Sequence, residues 1–258
     1  MGQLLGTATI QIRYLGHASV RIDLDGLGFL TDPALQARIG PLRRIAGPVE
    51  PRWLEALDAV LVSHLHLDHL DLPSLRRIPP GVLVIAPAGA AAWLRAKGRP
   101  NVIELAPGES TAVGGIRVRA VLARHGGFRT PRGPRAIAVG YVIEGRRTVY
   151  FAGDTGLFDG LAALAGGVDV ALLPVAGWGP TLPARTHLDP VRAARAAGLI
   201  GASTVVPIHW GTYRPIGLRW AMRADPGEPV RALVRAAAEL APGSTIVPLD
   251  IGATIALP

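Results

Sequence analysis

A layered α/β (α+β) fold in a single domain covering residues 1–258 is what the sequence predicts, on three observations. Apolar runs of strand length come in groups, with helical stretches interspersed in both halves. With 49% hydrophobic residues, 18% charged residues and a mean hydropathy of +0.33, the chain has ample apolar material for a sizeable core. No linker, low-complexity segment or internal repeat divides it.

The elements follow in order. Residues 7–13 and 19–24 alternate as strands, and Asp25-Gly26 is a hairpin turn leading to a third strand at 27–31. Residues 34–51 read as a long connection carrying Arg38, Arg43 and Arg44 among apolar residues, an amphipathic basic stretch compatible with contact to anionic lipid but with an apolar pattern too short to assign it. A short helix at 53–57 precedes an apolar strand at 57–62. Beyond the next loop come a helical turn at 72–78, a strand at 81–86, a helix at 88–97 stopped by Gly98, and a strand at 101–105. Strands at 115–124, 136–144 and 147–151 lead to Gly153-Asp154-Thr155-Gly156. A helix at 157–165 and a strand at 168–173 precede a Gly/Pro-rich loop at 174–186. Asp189-Pro190 is an N-cap followed by a first-turn proline, opening a helix to Ala197. A strand at 204–208, a helix at 228–240 and strands at 245–247 and 253–257 complete the chain.

Residues 1–11 lack the basic start and long apolar stretch of a secretion signal, and no run of about 18 apolar residues exists, so a cytoplasmic protein is expected. The chain has no cysteine, so any metal site must use His, Asp and Glu. The net charge is +8, and with Lys97 the sole lysine the 27 basic residues include 26 arginines. Charge of this kind bears on partners, not on fold, and coding bias explains it equally well.

The chemistry concentrates in Ser63-His64-Leu65-His66-Leu67-Asp68-His69-Leu70-Asp71, which follows the 57–62 strand and holds three of the seven histidines. Packing these imidazoles and carboxylates together without an ion would be costly. Imidazole and carboxylate suit zinc and its borderline neighbours. In an extended segment His64 and His66 share a face, whereas the adjacent Asp68 and His69 diverge, so two ions fit better than one. His125, Asp154 and His209 each sit at or just past the end of an apolar strand. Each is a candidate ligand if those ends converge, or an ordinary hydrogen-bonded strand-end residue if they do not.

In motif order and spacing, His64-x-His66-x-Asp68-His69, His125, Asp154 and His209 resemble the metallo-β-lactamase superfamily, over about residues 14–213. Leu15-Gly16-His17-Ala18-Ser19, Thr31-Asp32-Pro33, residues 150–156, His187-Leu188-Asp189-Pro190 and residues 207–212 resemble a narrower branch, that of N-acylphosphatidylethanolamine phospholipase D and ascorbate-6-phosphate lactonase relatives. The resemblance implies a four-layer αββα sandwich with a dinuclear site. It implies that His64, His66 and His125 hold one Zn2+ and Asp68, His69 and His209 the other, with Asp154 bridging. Mn2+ or Fe are alternatives. Asp32 and His17 would then stand behind the ligands.

The expected reaction is hydrolysis of an anionic, small-molecule or lipid-derived phosphodiester or lactone/ester by a hydroxide bridging the ions. Asp68 would take the nucleophile's proton. His187, near a helix start, would protonate a leaving group or bind an anion. Arg124 and Arg129, in a loop that also carries Arg132 and Arg135, are candidate substrate residues, with Trp178, Trp210 and Tyr213 as pocket walls. Peripheral membrane contact and homo-oligomers are compatible with the sequence. A nuclease is disfavoured because no RNA-binding arm or second nuclease domain is visible. Of the iron oxidoreductases, the diiron kind is disfavoured by His66, where such relatives carry glutamate, and a persulfide dioxygenase-like enzyme stays as an alternative. A non-catalytic metal-binding protein is disfavoured by the complete ligand set.

Overall fold

The computed structural model describes residues 10–130, 133–176, 185–217 and 225–258. The opening meander forms as its alternation requires. β1 (Ile10–Gly16), β2 (Ser19–Leu24) and β3 (Leu27–Thr31) pair antiparallel. Asp25 and Gly26 join β2 to β3 with φ of 50° and 82°. Two successive positive φ angles make the type I′ turn whose twist suits a two-residue hairpin. The first half continues through β4 (Arg38–Ile39), β5 (Leu42–Arg44), a 3-10 turn at Pro51–Leu54, β6 (Ala59–Leu61), α1 (Leu72–Leu75), β7 (Leu83–Pro87), α2 (Ala91–Ala96) and β8 (Val102–Leu105). The second half holds β9 (Ser110–Val113), β10 (Ile116–Leu122), β11 (Val139–Glu144), β12 (Thr148–Phe151), a 3-10 stretch at Asp159–Leu164 and β13 (Val170–Pro174). After these come α3 (Pro190–Ile200), β14 (Thr204–Ile208), β15 (Tyr213–Pro215), α4 (Glu228–Leu240), β16 (Thr245–Ile246) and β17 (Thr254–Leu257).

Two seven-stranded sheets result, ordered β17-β1-β2-β3-β6-β7-β8 and β16-β14-β13-β12-β11-β10-β9. Their inner faces meet in a core that includes Ile12, Phe29, Leu61, Val118, Tyr141, Phe151 and Val206. The outer face of the first sheet packs on α1 and α2 through Val60, Leu75, Val84 and Leu94. That of the second packs on α3 and α4 through Leu173, Val205, Ala194 and Leu233. This is the four-layer αββα arrangement. Each sheet joins an antiparallel meander to a parallel run, β3-β6-β7-β8 in one and β12-β13-β14-β16 in the other. Parallel neighbours end on the same sheet edge, so the loops after β3 and β6, and after β12, β13 and β14, start from two shared edges. Asp189 caps α3 by accepting from the Arg192 amide at 2.8 Å, as its position before Pro190 predicts.

Three expectations need correction. Residues 34–51 are not a bare connection: β4 and β5 pair with β15 in a three-stranded sheet, β15-β5-β4. Strands of two or three residues are too short to display a period. β9 was also hidden, since Ser110-Thr111-Ala112-Val113 buries only Val113. The helices expected at 53–57 and 157–165 are 3-10 segments. The loop residues 177–184, Trp178 among them, and Arg132 lie outside the described residues.

Candidate metal centre

Both sheets contribute to one cluster. The first supplies His17 from the β1–β2 turn, Asp32 from the end of β3 and the 63–71 loop after β6; the second supplies His125 after β10, Asp154 after β12 and His209 after β14. Three ring nitrogens converge at one point: His64 Nε2 lies 3.0 Å and His125 Nε2 3.1 Å from His66 Nδ1. Beside it, His69 Nε2 lies 3.3 Å from His209 Nε2 and 4.0 Å from Asp68 Oδ2. Asp154 reaches both groups. Its Oδ2 is 3.3 Å from His69 Nε2 and 3.9 Å from His125 Nε2, and its Oδ1 is 3.4 Å from His209 Nε2.

The outward nitrogens of these rings are committed. His125 Nδ1 donates to the Thr186 carbonyl at 2.9 Å, and His209 Nδ1 to the Ala176 carbonyl at 2.7 Å. His69 Nδ1 donates to Asp32 Oδ2 at 2.7 Å. The Ser63 hydroxyl gives its proton to the same oxygen at 2.5 Å and therefore accepts from His64 Nδ1 at 2.9 Å. A neutral imidazole has one N–H, so spending it behind the ring leaves a lone pair on the other nitrogen. At four histidines that lone pair faces the centre of the cluster. Lone pairs 3.0–3.4 Å from one another and from a carboxylate repel unless a cation or a proton lies between them, and the donor chemistry fits divalent ions of the zinc type.

Asp32 anchors the arrangement. It is fully buried, and besides His69 and the Ser63 hydroxyl it accepts the Ser63 amide at 2.7 Å. The first two positions of the loop, Ser63 and His64, and its far end at His69 are thus tied to one carboxylate. The backbone is also unusual here. His17, Asp32 and His209 have φ of 57°, 30° and 64°, a region that non-glycine residues occupy at a cost and that clusters at functional sites. Gly153 (φ 58°) needs to be glycine for a second reason: a Cβ would come within 2.5 Å of Ser63 Cβ.

Burial and neighbouring imidazoles hold His17 down at about 3 and His66 at about 4, and His64 well below the ordinary imidazole value. At His69 burial also acts downward, but Asp154, Asp32 and Asp68 together raise it well above that value. Asp68 and Asp154 are pushed up by burial, yet the surrounding imidazoles bring both well below the usual carboxylate range.

The remaining expected residues divide. His17, assigned on sequence to a place behind the ligands, has Nε2 within 3.2 Å of Asp68 Oδ2 and lies among the donor atoms of Asp68, His69 and His209. His187 sits at the other side, with Nε2 3.9 Å from Asp154 Oδ2 and its ring edge-on to His125. The aromatic walls do not materialise among the described residues. Trp210 stacks on Tyr14, donates Nε1–H to the Pro207 carbonyl and packs into the core. Tyr213 is buried, its hydroxyl 2.9 Å from the Ala34 and Gln36 carbonyls and its ring edge-on to His17. Arg129 is a clamp: Nη1 donates to the Leu70 carbonyl at 2.7 Å and the Leu65 carbonyl at 3.3 Å, and the guanidinium covers the Trp93 ring. Arg124 places its guanidinium over Phe158. Sequence reasoning missed Phe128, which is 46% exposed with its ring 5.1 Å from that of His66, and Leu67, 39% exposed within the loop itself. An apolar residue between histidines was the available signal.

Residues 28–210 match the beta-lactamase superfamily domain. The chain belongs to that superfamily. Among superfamily relatives, an uncharacterized protein of Mycobacterium tuberculosis is 33% identical over 88% of this chain and 64% of its own length, so the chain spans about two thirds of that relative. The N-acyl-phosphatidylethanolamine-hydrolyzing phospholipase D 1 of Caenorhabditis elegans is 32% identical over 93% of this chain and 73% of its own. A metal-dependent hydrolase of Rubrobacter xylanophilus is 32% identical over 79% and 82%. The superfamily fold is also that of Igni18, a metallo hydrolase from Ignicoccus hospitalis, at a TM-score of 0.73 and 25% identity over 97% of this chain and 99% of that one.

Proposed function

We propose that the chain is a metal-dependent hydrolase with a dinuclear centre, acting on a phosphodiester or a lactone/ester that joins an anionic group to an apolar one. The observation that carries this reading is the ring of inward-facing lone pairs. His64, His66 and His125 would hold one divalent ion and Asp68, His69 and His209 the other, with Asp154 between them; zinc suits the donors. The pair would supply Lewis acidity at the attacked centre and an acidified water at neutral pH.

The protein's own groups do the rest. Asp32, Ser63 and the Ala176 and Thr186 carbonyls fix the tautomers of the donor rings, so no ring must reorient as charge develops. Asp68, ionised and 3.2 Å from His17 Nε2, accepts the nucleophile's proton with His17 as its neighbour. His187 is 17% exposed and adjoins Asp154, which suits delivery of a proton to the leaving oxygen. With Arg129 spent on the loop, an anionic substrate would be met by the ions and His187. Phe128 and Leu67 give the rim beside His66 an apolar character that favours a substrate with a lipid-like part.

A hydrolysis panel on metal-defined protein tests this, spanning simple phosphodiesters, lipid phosphodiesters, lactones and β-lactams. Turnover of a phosphodiester or lactone is expected, and His64→Ala or Asp154→Ala should reduce it at least about a thousandfold. Metal-independent turnover, or β-lactams as the best substrates, would sink the reading.

A further inference from the structure

The three-stranded sheet β15-β5-β4 has one face inside the protein and one outside. Ile39, Leu42 and Tyr213 point inward and pack with Ala34, and the Tyr213 and His17 rings meet edge to face with their centres 5.6 Å apart. On the outer face the register sets Arg38 opposite Arg43 and Arg43 opposite Arg214, a cross-strand row of three arginines. Like charges directly opposite weaken a ladder. The two segments that carry them are themselves without acidic residues, from position 34 to 49 and from 201 to 224. Among the described residues no carboxylate pairs with Arg38 or Arg43; Arg38 Nε donates to the Gly40 carbonyl, and the charge of Arg214 is felt by Asp225.

The same face carries two exposed isoleucines. The ladder continues past the strand ends, with the Ile45 amide donating to the Thr212 carbonyl and the Ile216 amide to the Pro41 carbonyl, each at 2.8 Å. Side chains two apart share a face, so Ile45 lies beyond Arg43 and Ile216 beyond Arg214, on opposite sides of the arginine row. They are 41% and 47% exposed. A row of guanidinium groups between two bare aliphatic side chains complements a surface with anionic groups outside and hydrocarbon just beneath.

We propose that this face docks the protein on anionic phospholipid membrane. Guanidinium forks meet the headgroup phosphates, Ile45 and Ile216 enter the interface, and the metal centre is held one side-chain layer away, behind Tyr213. The proposal does not depend on which bond the centre cleaves.

Vesicle flotation tests it, using phosphatidylcholine vesicles with and without a phosphatidylglycerol fraction at low and high salt. Binding should require the anionic lipid and weaken with salt. Arg38→Gln/Arg43→Gln should weaken it by about thirtyfold, at roughly tenfold or less per arginine. Arg76→Gln/Arg195→Gln, which removes the same charge from exposed positions on the helical layers, should leave it nearly unchanged. Ile45→Ser/Ile216→Ser should weaken binding while keeping its salt dependence. Equal binding to pure phosphatidylcholine, equal losses in the two arginine pairs, or RNA outcompeting the vesicles through the same arginines would overturn the assignment.

Discussion

Each of His64, His69, His125 and His209 has its one neutral-state proton placed behind the ring, and this has measurable consequences for the metal-free protein. His17 and His66, held down to about 3 and 4, and His64 are neutral at pH 7 and release no proton when a metal arrives. His69, raised by its three carboxylates, carries two protons and must give one up. Metal binding near pH 7 should therefore release a proton from His69, besides any lost by metal-bound water, read from calorimetry in buffers of different ionisation enthalpy. His69→Gln should lower the release by about one proton. Acid acts on stability through the same groups. A folded-state pKa below the unfolded value of about 6.5 means stability that is full above 6.5 and lost as pH falls, so His17, His64 and His66 should make the metal-free protein less stable from about pH 6.5 down towards 4. His69 is constant in this window, since its contribution is full below about 6.5 and is lost only as pH rises through its raised pKa. The melting temperature should therefore fall on acidification in that window. Asp32→Asn should weaken metal binding about 10- to 100-fold, because the amide puts an NH2 in place of one oxygen and so faces either the Ser63 amide or the Ser63 hydroxyl and His69 with a donor.

Loops and strands fix where those atoms stand. The 63–71 loop is pinned by Asp32 at its start and His69, and by Arg129 at the carbonyls of Leu65 and Leu70. Arg129→Ala should lower both thermal stability, by about 1–3 kcal/mol, and metal affinity, while leaving KM of the metal-saturated enzyme nearly constant. A substrate-binding arginine would do the reverse. Gly153→Ala should displace Ser63 and with it the His64 ring, costing metal affinity as well as stability. At this scale much was readable in the sequence. Strand-end placement pointed to Asp154 and His209 because the parallel run β12-β13-β14 delivers its C-terminal residues to one edge, and to His125 as the residue past the end of antiparallel β10. The small sheet was not readable, as β4, β5 and β15 have two or three residues each. The jobs of Arg129, Trp210 and Tyr213 were hidden too. A long polar-tipped side chain fits a rim or a strut equally well, and its partners are backbone carbonyls that no sequence pattern announces.

Taken whole, the molecule is two mixed sheets face to face, and the cluster is drawn from the edges of both. Histidines 64, 66 and 69 belong to one half, His125, Asp154 and His209 to the other. Ions held there, as proposed, would join the halves in addition to the apolar core. Removing metal with a chelator should lower the melting temperature by about 10 °C, the shift expected when a ligand near a thousand times its Kd is withdrawn from a chain of this size. Re-addition should restore it, and His125→Ala should remove most of the difference. The shared edge therefore acts as a clasp whose tightness follows the free metal of the surroundings. A chain synthesised where metal is scarce is both inactive and easier to open, so scarcity exposes it to unfolding and proteolysis. Metal supply then sets how many copies persist as well as how fast each one works.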